Sequence, residues 1–187
     1  MEKSLKLYMV MLGCTPDGRL TEQHDIFFGI GTSLKDLLPD MIAFWPEAKG
    51  QIHIDAWREV SQVDGFLIEV IERNPGNKSP LNLFFLNLGG YRKKEFEEYH
   101  YKVLTIAPTL AAATKTSKKT AFYKHFGFKG ATSHIDEKYG IDVDDAFKVE
   151  DILSHHLKEQ YQLKFTEGLF TPEDKLHIGY LGISKLL

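Results

Sequence analysis

Two short polar patterns carry the chemistry this 187-residue chain offers: Glu22-x-His24 and His53-x-Asp55. Each lies in a stretch that reads as a β-strand, where residues two apart point to the same face. Glu22 and His24 are then neighbours on one face, as are His53 and Asp55. If the two strands lie close, two imidazoles and two carboxylates gather in one place. Those donor types suit a divalent metal ion, and equally a general acid/base pair. A blander reading competes with both and is the favoured one on sequence alone. The face of His24 also carries Ile26, Phe28 and Ile30. A histidine on an apolar strand is commonly a structural group bonded to a carboxylate or carbonyl.

The elements that must position these side chains are written twice. Leu7–Gly13 recurs as Leu83–Gly89, and Glu22-Gln-His24 as Glu98-Tyr-His100, at one common offset. His53-Ile-Asp55 recurs as His134-Ile-Asp136 at a slightly larger offset, which implies an insertion in the second copy. A repeat of this length is one folding unit used twice. Each unit opens with an apolar strand, Leu5–Leu12 or Leu81–Leu88. A loop and a second strand follow, His24–Ile30 or His100–Ile106. In the first unit Ser33 and Asp36 read as a capping box. Leu34, Leu37, Leu38, Met41, Ile42 and Trp45 then keep the rhythm of a buried helix face, and Pro39 kinks that helix or delays its start. The second helix spans about residues 109–125, with Leu110, Ala113, Ala121 and Phe122 toward the core. The His-Ile-Asp segments form third strands, and Gly65–Val70 closes the first unit. The second unit gains a helix over about 149–161 and closes later, at Leu176–Ile183. The expected architecture is α+β: two pseudo-symmetric ββαββ-type repeats with a mainly antiparallel sheet and an extra helix in the second. Residues 1–73 make the first unit, 74–80 a Pro/Gly/Asn linker and 81–187 the second.

Composition narrows the function. A net charge of −3 argues against a globally cationic nucleic-acid binder. The single cysteine, Cys14, allows no intramolecular disulfide and fits a reducing compartment. No apolar run approaches the ~20 residues of a spanning helix. Met11-Leu-Gly-Cys14 imitates a lipoprotein signal, but its apolar run is short and reappears in mid-chain, so it reads as a strand end. The glycines after each first strand match no phosphate-loop spacing. Cys14 stands where the other copy has Gly90, which disfavours a catalytic cysteine. Between Tyr99 and Ile135 there are lysines and aromatics but no acidic residue. Lys118, Lys119 and Tyr123 there are candidate ligand contacts, of the kind that track a nucleic-acid backbone and stack bases.

The strand ending in Leu-Gly, Glu22-x-His24-Asp25 and His53-Ile-Asp-Ala-Trp57 resemble the bacterial family known as domain of unknown function 1543, here as two tandem copies. The resemblance implies a small bacterial, cytoplasmic protein and no assigned activity, cofactor or partner. The second copy departs from the pattern at Tyr101 and at Glu137-Lys138, so the first is the better place for chemistry. Three functions follow as expectations. The first is binding of a ligand or partner in a groove between the repeats. The second is a metal-dependent or acid/base enzyme using Glu22, His24, His53 and Asp55. The third is nucleic-acid binding through residues 115–129. A homo-oligomer is compatible with each.

Overall fold

The structure is a computed structural model that describes residues 4–77, 79–91, 94–120, 142–168 and 174–186. It divides into two compact units, Met1–Lys78 with Leu153–Leu187, and Ser79–Ile152.

In the first unit β1 (Lys6–Cys14) pairs antiparallel with both β2 (Gln23–Gly31) and β3 (His53–Glu59). The last strand of the chain, β10 (His177–Gly182), adds to the outer side of β3, giving the order β10-β3-β1-β2. Alternation along β1 sends Tyr8, Val10, Leu12 and Cys14 to one face. There they pack with Phe27, Ile52 and Ile54 against Leu34, Leu37, Leu38 and Met41 of the helical segment. Each such aliphatic side chain contributes roughly 1.5–3 kcal/mol by leaving water. The segment is divided as Pro39 requires: a 3-10 turn, Leu34–Leu37, precedes α1 (Leu38–Phe44), whose first turn holds the proline. The Asp36 carboxylate accepts from the Thr32 hydroxyl and from the backbone N–H groups of Thr32 and Ser33. Ile42 lies on the exposed side rather than on the buried face expected of it.

A second sheet, ordered β4-β5-β9, belongs to the same unit. β4 (Gln62–Val63) and β5 (Phe66–Glu72) are joined by Asp64-Gly65, both at positive φ. That is the two-residue hairpin chemistry Asp-Gly favours. β5 then pairs along its whole length with β9 (Tyr161–Glu167), Glu72 opposite Tyr161.

The second unit repeats the first in plan. β6 (Asn82–Tyr91) pairs antiparallel with β7 (Glu98–Ala107) and β8 (Asp142–Lys148), in the order β7-β6-β8. α2 (Leu110–Thr120) packs Ala113 onto Phe84, Leu86, Leu88 and Ala107. Leu110 is exposed, contrary to expectation.

The fold is α+β with antiparallel pairing throughout these sheets. Three expectations are corrected. Residues 153–187 fold into the first unit, not the second, because β9 completes the sheet of β5 and β10 the sheet of β3. The helix expected over 149–161 is two short ones, α3 (Val149–Ile152) and α4 (His155–Gln160), since Ser154 is extended and starts a new helix. The strand that takes the place of β3 in the second unit is β8, not the segment of His134-Ile-Asp136, which lies outside the described residues.

Candidate metal centre

The four residues of the two patterns converge in the first unit. Register places His24 and His53 opposite Gly13, one from each side of β1. All three sit on the sheet face away from α1, since Leu12, Ile54 and Phe27 alternate with them into the helical core. His53 Nε2 lies 2.9 Å from Glu22 Oε1 and 3.2 Å from Asp55 Oδ2. His24 Nε2 lies 3.2 Å from the same Asp55 oxygen and 3.5 Å from Glu22 Oε2.

Two backbone features make this convergence geometric rather than accidental. The pairing of β1 with β3 slips between Met11 and Leu12, so that Asp55 is an extra residue between Ile54 and Ala56. Such bulges bend a strand and re-aim the side chain they insert. Gly13 lies beneath, and a Cβ there would collide with Asp55 Oδ2 and His53 Nε2. Glycine is the residue that leaves this hollow to be filled by ligand atoms.

The electrostatics are unusual at one atom. Asp55 Oδ2 is buried and accepts no hydrogen bond among the described residues, although two imidazole nitrogens stand 3.2 Å away. Buried polar atoms are nearly always satisfied, and an exception points to a strained or functional group, or to an ion or water that belongs there. The outer part of the cluster is open: the His24 side chain is 41% exposed and that of Glu22 45%, against 13% for His53. Tyr180 of β10 packs its ring on His53, with centroids 4.6 Å apart. Sequence reasoning missed Tyr180, because nothing local ties a residue of the closing strand to β3. Gly13 stood out in sequence only as the end of the repeated strand, and the strand pairing is needed to give it this role. Cys14 points the other way, into the core. Burial, then the carboxylates of Asp17 and Glu22, push its thiol above the usual range. A thiol so placed is a poor nucleophile.

Of the remaining candidates, Lys118 and Lys119 fall within α2, and Tyr123 lies outside the described residues. Among the described residues no helix is long and apolar enough to cross a membrane.

Residues 19–70, which hold all four convergent side chains, match a family model. That family is described as Domain of Unknown Function (DUF1543). The family expected from Glu22-x-His24 and His53-Ile-Asp55 is thus the one matched, over residues of the first unit. No curated protein matches the chain. Among solved structures the chain resembles a crystal structure of a protein Il1583 from Idiomarina loihiensis. The likeness has a TM-score of 0.64 at 21% identity and covers 96% of this chain and 98% of the other. It establishes a shared fold. The DUF1543 family and this neighbour carry no assigned activity in their descriptions.

Proposed function

We propose that the DUF1543 segment of the first unit holds a divalent transition-metal ion through Glu22, His24, His53 and Asp55. The observation that carries this reading is Asp55 Oδ2, buried without a hydrogen bond and flanked by two imidazole nitrogens. Two nitrogens and two carboxylates are the donor set of zinc, iron(II) and manganese sites. A cation at the focus gives the orphan oxygen a partner and offsets the charge of the two carboxylates. The exposed side of His24 and Glu22 leaves room for a water or an anionic ligand to complete the coordination, as catalytic centres require. Bound there, the ion would supply Lewis-acid chemistry. Tyr180, packed on His53, would wall one side of the approach.

The test is metal content and affinity, by elemental analysis and calorimetric titration with Zn²⁺ and Mn²⁺. Wild-type protein is expected to bind a Zn²⁺ ion that Asp55→Asn and His53→Gln weaken. The loss should exceed the roughly 10–100-fold that removing a mere outer-shell partner costs. Affinity should also fall on acidification, because protons compete for the ligand atoms. Unchanged affinity in both variants would refute the reading.

A second reading rests on the 2.9 Å contact of His53 with Glu22. A carboxylate-oriented imidazole is the core of an acid/base pair. Any activity found should then survive exhaustive chelation, which separates the two. A cytoplasmic location accords with the single, buried Cys14.

A further inference from the structure

The second unit contains a like arrangement, whose glycine, glutamate and histidine follow the sequence repeat and whose aspartate does not. Gly89 stands in β6 where Gly13 stands in β1, with His100 opposite it in β7. The pairing of β6 with β8 slips between Asn87 and Leu88, leaving Asp144 as the extra residue between Val143 and Asp145. It is the same bulge, at the same place, with the same amino acid as Asp55. A Cβ on Gly89 would collide with the Asp144 carboxylate. His100 Nε2 lies 3.4 Å from Asp144 Oδ2. One ligand atom each from Glu98, His100 and Asp144 fall within 4.8 Å of one another.

We propose that Glu98, His100 and Asp144 form a second divalent-cation site, of harder donor character than the first. The site stands on its own three residues. Only the comparison of donor character rests on the reading of the first site. The difference comes from one register position. Opposite Gly13 stands His53, whereas opposite Gly89 stands Asp142. The second unit therefore offers one imidazole where the first offers two. Oxygen-rich sets suit manganese and magnesium, and imidazole-rich sets suit zinc. The advantage of Zn²⁺ over Mn²⁺ is thus smaller in the second unit. Lys102 bears on the same place: its Nζ donates to the His100 carbonyl oxygen at 3.3 Å. An ammonium beside a cation site weakens it by repulsion.

The experiment is stoichiometric titration of the full chain with Mn²⁺ and with Zn²⁺, the free Mn²⁺ being read by electron paramagnetic resonance. Wild type, Asp55→Asn, Asp144→Asn, His100→Gln and Lys102→Met are compared, with circular dichroism to check folding. Two ions per chain are expected for wild type and one for Asp55→Asn or Asp144→Asn. The ion left in Asp55→Asn should be lost on adding His100→Gln and held more tightly with Lys102→Met. A single ion lost in Asp55→Asn and untouched in Asp144→Asn and His100→Gln would overturn the second site and leave the first standing. A single ion lost in Asp144→Asn and untouched in Asp55→Asn would do the reverse. Equal Zn²⁺-to-Mn²⁺ preference at both sites would overturn the claim of harder character. Where Asp144→Asn misfolds, His100→Gln alone decides.

Discussion

At the scale of the residue, the four candidate ligands of the first unit gather around one glycine. Gly13 is small because two ligand-bearing side chains occupy the volume a Cβ would need. Gly13→Ala is expected to displace the Asp55 carboxylate and the His53 ring, and so to weaken metal binding, at little cost to folding, because the atoms its Cβ meets are the ends of side chains. Urea denaturation and calorimetry would measure the two effects. The buried thiol of Cys14 makes a separate prediction. Native protein should react slowly with iodoacetamide, and the rate should rise sharply in denaturant. Asp36 gives a pH effect. Hydrogen bonds from the Thr32 hydroxyl, and then from Ser33, hold its carboxyl below the usual range. A carboxyl lowered by folding stabilises above its unfolded pKa, and that stabilisation is lost as pH falls through the folded value. Asp36→Ala should therefore lower the melting temperature at neutral pH, and the difference should vanish in acid. The convergence of Glu22, His24, His53 and Asp55 was legible from two facts about strands: side chains alternate, and antiparallel partners bring them face to face. The orphan state of Asp55 Oδ2 was not legible, since it depends on a bulge that leaves no mark in the local sequence.

At the scale of the element, β1 is the strand on which everything registers. Its other end carries Tyr8, whose phenol is pushed up to about 12 by burial and by the neighbouring Glu59 carboxylate. A raised tyrosine contributes stability that is complete below its unfolded pKa of about 10 and is lost as pH rises through the folded value. Tyr8→Phe should therefore flatten the loss of stability between pH 10 and about 12. A spectrophotometric titration at 295 nm should lose a tyrosine that ionises near pH 12. Strands β1, β2, β3, β6 and β7 announced themselves by apolar runs and by the repeated Leu-Gly and Glu-x-His. β8 did not. Its Asp142-Val143-Asp144 has little in common with His53-Ile54-Asp55 except alternation and the final aspartate. His134-Ile-Asp136 matches His53-Ile-Asp55 letter for letter. Hydrogen-bond register, not letter identity, decides which aspartate is equivalent. β10 was legible as a strand but not as the neighbour of β3, because a sequence does not say which sheet a strand will join.

At the scale of the whole chain, the first unit is made of two separate stretches, with the second unit entering between β5 and β9. Arg73 N–H donates to the Gln160 carbonyl, and Gln162 bonds both Asn74 and Asn77. The chain thus leaves and re-enters the first unit at neighbouring points. Replacing residues 79–152 by a short glycine-rich loop should leave a folded first unit that still binds metal. A fragment of residues 1–78 alone should not fold stably, because β5 and β3 lose their partners β9 and β10. Nuclear magnetic resonance spectra of the two proteins would distinguish these outcomes. The position of β10 has a consequence during synthesis. β3 emerges from the ribosome more than a hundred residues before the strand that covers its outer side. At about 5–20 residues per second that is roughly 6–24 s of waiting. Through that interval the nascent chain presents a bare strand edge beside His53 and Trp57, a template for pairing with another chain. Premature termination before residue 177 would leave that edge permanently open. The truncated products should therefore be the ones that aggregate and that cellular proteases remove.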